Sequence, residues 1–166
     1  MYTYAQVEEA LAKLNGAHSD PRRGAFRARL QHYRRIGLVQ ESPGKGKRVA
    51  YTIAHVQIWA FSLCLAQIGI DPTAIKKLVD GFKPKIMAAF QDAGRGGEDL
   101  YVVFNPWFLT IPVDEELPLH RPDFFEIVSA SRFKEHSDFW IGRICCVVNI
   151  SDLQRKLESD LQAIAA

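Results

Sequence analysis

Between Pro21 and Arg48 the chain carries nine cationic side chains (Arg22, Arg23, Arg27, Arg29, Arg34, Arg35, Lys45, Lys47 and Arg48) against one acid, Glu41. Cations at this density suit polyanions: they displace counterions from phosphates, and arginine presents a planar fork to guanine O6 and N7. The competing reading is a solvated charged surface. A helix made only for solubility mixes both signs, and here acids are nearly absent, so nucleic-acid binding is preferred. Arg22, Arg23, Arg27 and Arg29 fall in the first half of a predicted helix, the end that usually meets base edges. Gln31, His32, Tyr33 and Arg34 follow on the same helix. Lys45, Lys47 and Arg48 sit on a predicted hairpin and suit phosphates, which fix register without reading sequence. The Tyr33 hydroxyl can donate to phosphate, or its ring can pack as core; spacing alone leaves both open.

Other chemistry is poorly represented. The histidines (His18, His32, His55, His120, His136) show no metal-ligand spacing among themselves or with the cysteines. Cys145 and Cys146 are neighbours in an apolar strand pattern, so they point to opposite faces and are poor disulfide partners. They read as small buried hydrophobes. The glycines at 94–97 follow no strand and resemble a linker, not a phosphate loop. Asp114, Glu115 and Glu116 form an acidic loop between two prolines. No catalytic constellation is visible, and neither enzyme activity, metal nor cofactor is expected. Tyr101, Phe104, Trp107, Phe108, Phe124, Phe125, Phe133, Phe139 and Trp140 crowd the second half. They read as core; the alternative is an aromatic-lined pocket for a small-molecule effector.

The elements that would position the cations are legible in order. Residues 3–14 predict a helix with Thr3 as cap and Val7, Leu11 and Leu14 on one edge. Asp20 and Pro21 suit the start of the basic helix, in which Phe26, Leu30, Tyr33 and Gly37 recur at helical spacing. Residues 38–53 predict a hairpin with its turn at Ser42-Pro43-Gly44-Lys45-Gly46-Lys47. A helix from Thr52 or His55 to Ile68 is apolar nearly all round and predicts the central packing element. Asp71 and Pro72 open a short helix that Gly81 and Pro84 should close. Residues 83–99 read as a short helix and a Gly-rich break. Beyond it, residues 100–111, 124–128 and 139–150 predict three antiparallel strands. Ser151 to Gln154 reads as a capping box opening a last helix with Leu153, Leu157, Leu161 and Ile164 on a narrow stripe.

Three segments, LQHYRRIGLV at 30–39, KRVAYTIAHV at 47–56 and LAQIGIDPTAIKKLV at 65–79, resemble the N-terminal domain of MerR-type transcription regulators. Tyr33, Gly37, Leu38, Tyr51, Thr52, Gly69, Ile75 and Leu78 occupy matching positions, and the likeness covers residues 2–82. It implies a winged helix-turn-helix that binds double-stranded DNA. Gln31 and His32 stand where the family usually has Arg and Tyr, with Arg27 and Arg29 one turn earlier as substitute cations. The family's long dimerisation helix has no counterpart after Pro84 in this reading.

The 166 residues carry a net charge of only +2, but unevenly: +7 over residues 1–84 and −5 over residues 85–166. A polyanion should therefore meet the front half. The expected fold is α+β: a winged helix-turn-helix domain over 1–84, a linker over 85–99, and a small domain over 100–166 with an antiparallel sheet and a terminal helix. The expected function is a sequence-specific transcription regulator acting as a homodimer, with Leu153, Leu157, Leu161 and Ile164 as candidate seam. An architectural or excisionase-like DNA-binding protein is the alternative. No run approaches the ~18 apolar residues of a membrane span, and a cytoplasmic, nucleoid-associated location is expected.

Overall fold

The computed structural model describes residues 1–19, 21–39, 49–106, 124–135 and 145–165. Six helices and a three-stranded antiparallel sheet lie among them: α1 (Tyr4–Leu14), α2 (Arg22–Arg35), α3 (Ile53–Gln67), α4 (Pro72–Gly94), β1 (Leu100–Phe104), β2 (Phe125–Ser129), α5 (Ala130–Glu135), β3 (Cys146–Asn149) and α6 (Ile150–Ala165). No helix among the described residues is long and apolar enough to cross a membrane. The expected hairpin tip, with Lys45, Lys47 and Arg48, lies outside the described residues.

Local chemistry sets the starts of α1 and α3 and the stop of α2. Thr3 and Thr52 each close a capping box, with Gln6 and His55 as the reciprocal partners. The backbone between α2 and residue 39 turns at Gly37 (φ +70°), where Leu38 N–H donates to Tyr33 C=O in a Schellman closure. Among the described residues α2 starts, directly after Pro21, without a side-chain cap; the expected cap Asp20 lies outside the described residues. A single antiparallel bridge, Tyr2 with Tyr51, ties the N-terminus to the residue that precedes α3.

Two expected boundaries move. α4 does not stop at Gly81 or Pro84 but runs 23 residues to Gly94. Pro84 removes one backbone donor, yet it lies on the exposed face, where water can satisfy the freed carbonyl. The buried stripe Ile75, Leu78, Val79, Phe82, Ile86, Ala89 and Phe90 continues across it, and that burial outweighs the missing bond. The separate short helix expected within residues 83–99 is therefore the continuation of α4. The last helix likewise starts earlier than expected: Asn149 Oδ1 accepts from Asp152 N–H at 2.8 Å, whereas Ser151 Oγ accepts from Leu100 N–H. Its cap is Asn149, and Ser151 instead stitches α6 to the sheet.

The sheet order is β2-β1-β3, with Val102 opposite Ile127 and Val148, and Phe104 opposite Phe125 and Cys146. That face joins the helical core; Phe82 of α4 stacks on Phe125 with ring centroids 4.2 Å apart. The other face gathers Val103 and Val128 with Tyr101, Phe133 and Cys145. Cys145 and Cys146 thus point to opposite sides, as strand alternation requires.

α6 lies against α1, α3 and α4. Its Leu153, Leu157 and Leu161 are buried within the chain, Leu157 completely, and Ile164 packs at the margin of the same core. The expected subunit seam on this stripe is replaced by an intrachain contact, because the helical layer of the first half leaves an apolar groove that α6 fills. One continuous core accordingly holds residues from both halves of the chain. Leu157→Ala should lower unfolding free energy by about 2–5 kcal/mol, seen as a lower denaturant midpoint at unchanged slope. Leu157→Asp should prevent folding instead of producing a folded monomer.

Candidate nucleic-acid interface

α2 buries one side, Phe26, Leu30 and Tyr33, and carries its cations around the rest. They do not behave alike. Arg23 and Arg27 project toward α1 and meet the Glu8 carboxylate. Arg23 Nε and Nη2 each lie 3.1 Å from Glu8 Oε1, and its Nη1 lies 2.8 Å from Glu9 Oε2. Arg27 Nε lies 3.0 and 3.1 Å from the two Glu8 oxygens, with Nη2 at 2.8 Å from Oε1. The Glu8 side chain is 6% exposed, Arg23 19% and Arg27 54%. Arg23 is thus turned inward on two acids, while Arg27 keeps half its surface in solvent.

Hydrogen bonds from Arg27, opposed by burial and aided by those from Arg23, hold the Glu8 carboxyl below its ordinary range. Arg34 lies over the Tyr4 ring, 4.9 Å from its centroid. Arg22, Arg29 and Arg35 are exposed and form no ion pair with a described residue. Gln31 is also exposed, and His32 is half-buried beside Tyr33.

Tyr33 itself is 1% exposed, and its hydroxyl has no hydrogen-bond partner among the described residues. Of the two roles that spacing left open, the structure places it in the core. A scan of the chain against protein-family models finds no match, and neither does a search of curated proteins.

The remaining candidate chemistry is thin. Among the described residues no group of three His, Cys, Asp or Glu side chains could hold a metal ion. Burial pushes the Cys64 thiol up to about 11 and raises Cys146 and Cys145, the opposite of an activated thiolate. Of the aromatics considered for an effector pocket, Phe104, Phe124 and Phe125 are buried core and Tyr101 stacks on Phe133. Trp107, Phe108, Phe139 and Trp140 lie outside the described residues. A cleft of about 300 Å³ does open between Cys64, Gln67, Ile68, Val147, Asp152 and Lys156, but no aromatic lines it.

What sequence reasoning missed here is Glu8. Its signal was present: an acid at the i+4 position from Tyr4 and directly before the Leu11 turn interrupts the apolar edge of α1.

Because its folded pKa is depressed, Glu8 stabilises the fold above the ordinary glutamate range, and that contribution disappears as pH falls through the folded value. The gap in melting temperature between wild type and Glu8→Gln should therefore be widest near neutral pH and close on acidification. Tyr33→Phe should leave stability equal or higher, since it deletes a buried unpaired hydroxyl, and should not change DNA affinity. A large loss of DNA binding in titrations of that variant would return Tyr33 to the interface.

Proposed function

We propose that this chain is a sequence-specific DNA-binding transcription regulator acting as a homodimer. In this reading residues 2–82 form a MerR-like winged helix-turn-helix, α2 enters the major groove, and Lys45, Lys47 and Arg48 on the wing meet phosphate. The observation that carries it is the state of α2. One side is fixed by Phe26, Leu30 and Tyr33, and the rest presents Arg22, Arg27, Arg29 and Arg35 to solvent with no acid on the helix itself. Such a surface repels itself unless a polyanion covers it. Arg22 and Arg29 lie together along one side of the buried stripe, Arg27 lies on the other side and Arg35 lies opposite the stripe. Dimerisation follows from the economy of recognition: one small helix reads few base pairs, and a two-fold axis doubles the site. Its seam lies outside the buried Leu153, Leu157 and Leu161.

DNA titrations across salt concentrations test the reading. With about five to seven phosphates neutralised per subunit, affinity should fall by several orders of magnitude from low to moderate salt. Arg29→Ala should cost ~1–3 kcal/mol at particular base pairs and relax specificity there. Charge reversal at Lys45 and Lys47 should weaken all sequences alike. A flat salt response overturns the proposal. Spreading of many copies along a duplex, in place of one dimer on a short site, would favour an architectural protein.

A further inference from the structure

We propose that Glu8 is a positioning residue for sequence reading: it holds Arg27 with the outer edge of its guanidinium turned to DNA, making Arg27 a pre-ordered specificity-determining contact of α2. The inference rests on the DNA-binding reading given above.

The geometry separates Arg27 from Arg22, Arg23 and Arg29 of the same helix. Glu8 occupies the Nε and Nη2 side of the fork, so the two Nη1 donors and the second Nη2 donor remain for an acceptor. That remaining edge is the one able to form paired hydrogen bonds to guanine O6 and N7 or to a phosphate. Arg23 lies beneath it at 19% exposure and uses Nε, Nη1 and Nη2 on Glu8 and Glu9. It anchors the carboxylate that anchors Arg27. Arg22 and Arg29 lack such a support among the described residues and must be ordered by DNA itself. A pre-ordered guanidinium loses less rotamer freedom on binding and tolerates fewer misplaced partners, which is the physical basis of discrimination.

Charge and burial at Glu8 oppose each other. An acid beside a DNA-binding helix weakens attraction to every duplex. Its nearly complete burial under two arginines turns that general cost into a local gain in orientation.

Three readings of Glu8 differ in sign. If it only contributes a negative field, Glu8→Gln raises affinity for all DNA. If it only fastens α1 to α2, the variant melts earlier and loses affinity for all DNA in equal proportion. If it positions Arg27, affinity for the preferred duplex falls while affinity for other DNA holds or rises.

The experiment uses the full chain and a duplex selected by the wild-type protein from a random pool, with a scrambled duplex of equal composition as control. Wild type, Glu8→Gln, Arg27→Ala and the double variant are titrated against both, with melting curves in the same buffer. The preferred-to-scrambled affinity ratio should drop roughly tenfold in each single variant. The double should be no worse than Arg27→Ala alone, because each removes the same contact. Arg27→Lys keeps the charge but cannot bridge carboxylate and base together. It should lose the ratio as fully as Arg27→Ala; should Glu8→Gln unfold, Glu8→Asp, which keeps the charge and withdraws the carboxylate from Arg27, should lower the ratio in its place, and an unchanged ratio there overturns the inference. An unchanged ratio in Arg27→Lys, a parallel rise on both duplexes in Glu8→Gln, or additive losses in the double overturn the inference and leave DNA binding intact. Failure of the wild type to bind any duplex removes the functional reading, and this inference with it.

Discussion

Helix α3 is apolar on every side, and the remainder of the chain is arranged to cover it. Val56, Ile58, Trp59, Ala60, Phe61, Leu63 and Leu65 are all buried, although they point in every direction around the axis. A helix of this kind cannot rest on a surface; it must be enclosed. α1, α4 and α6 supply the walls. Its buried hydroxyl and amide find partners within the chain, while the buried Trp59 Nε1 has none among the described residues. Ser62 Oγ donates to Ile58 C=O at 2.8 Å, and Gln57 Nε2 donates to Gln154 Oε1 of α6 at 2.9 Å. The second bond joins positions 97 residues apart and gives the enclosure a register, since a misplaced α6 would leave two buried amides unpaired.

Legibility in the sequence follows the range of the interaction. Caps at Thr3, Thr52 and Asp71 were readable because the bonds span two or three residues. The antiparallel strands were readable from apolar and β-branched runs bounded by Pro, Gly and acids. Pro84 misled because a breaker acts locally, whereas the stripe that overrides it acts over the whole of α4. Ser151 misled for the opposite reason: its hydroxyl had a distant partner in Leu100, invisible to any local motif. The stripe on α6 was found correctly, and periodicity could not say what covered it. An apolar face takes a neighbour from its own chain or from a second copy by the same physics, and only the three-dimensional placement of α1, α3 and α4 decides.

The candidate interface divides in the same manner. That α2 is cationic was plain from composition; that its cations hold different posts was not. Glu8 pairs with Arg23 and Arg27 across 15 and 19 residues, beyond any helical spacing rule. Tyr33 was undecided for a related reason. A tyrosine at a buried helical position and a tyrosine at a phosphate look alike in one dimension, and the difference is whether the hydroxyl emerges.

α2 also starts badly by its own means. Pro21 offers no side-chain cap, the first turn has no acid, and Arg22 and Arg23 stand at the positive end of the helix dipole. Its last turn is the favourable one, with His32, Arg34 and Arg35 near the exposed carbonyls. The acids missing from the first turn are supplied from α1, where Glu8 and Glu9 both engage Arg23. This explains why a carboxylate is buried at the α1–α2 joint at all. A single pair of helices, one acidic at its mid-point and one basic at its start, offsets the unfavourable helix end and leaves the outward arginines available. The α1–α2 joint and the proposed reading surface therefore share one carboxylate, and the proposed recognition is tied to the stability of that joint.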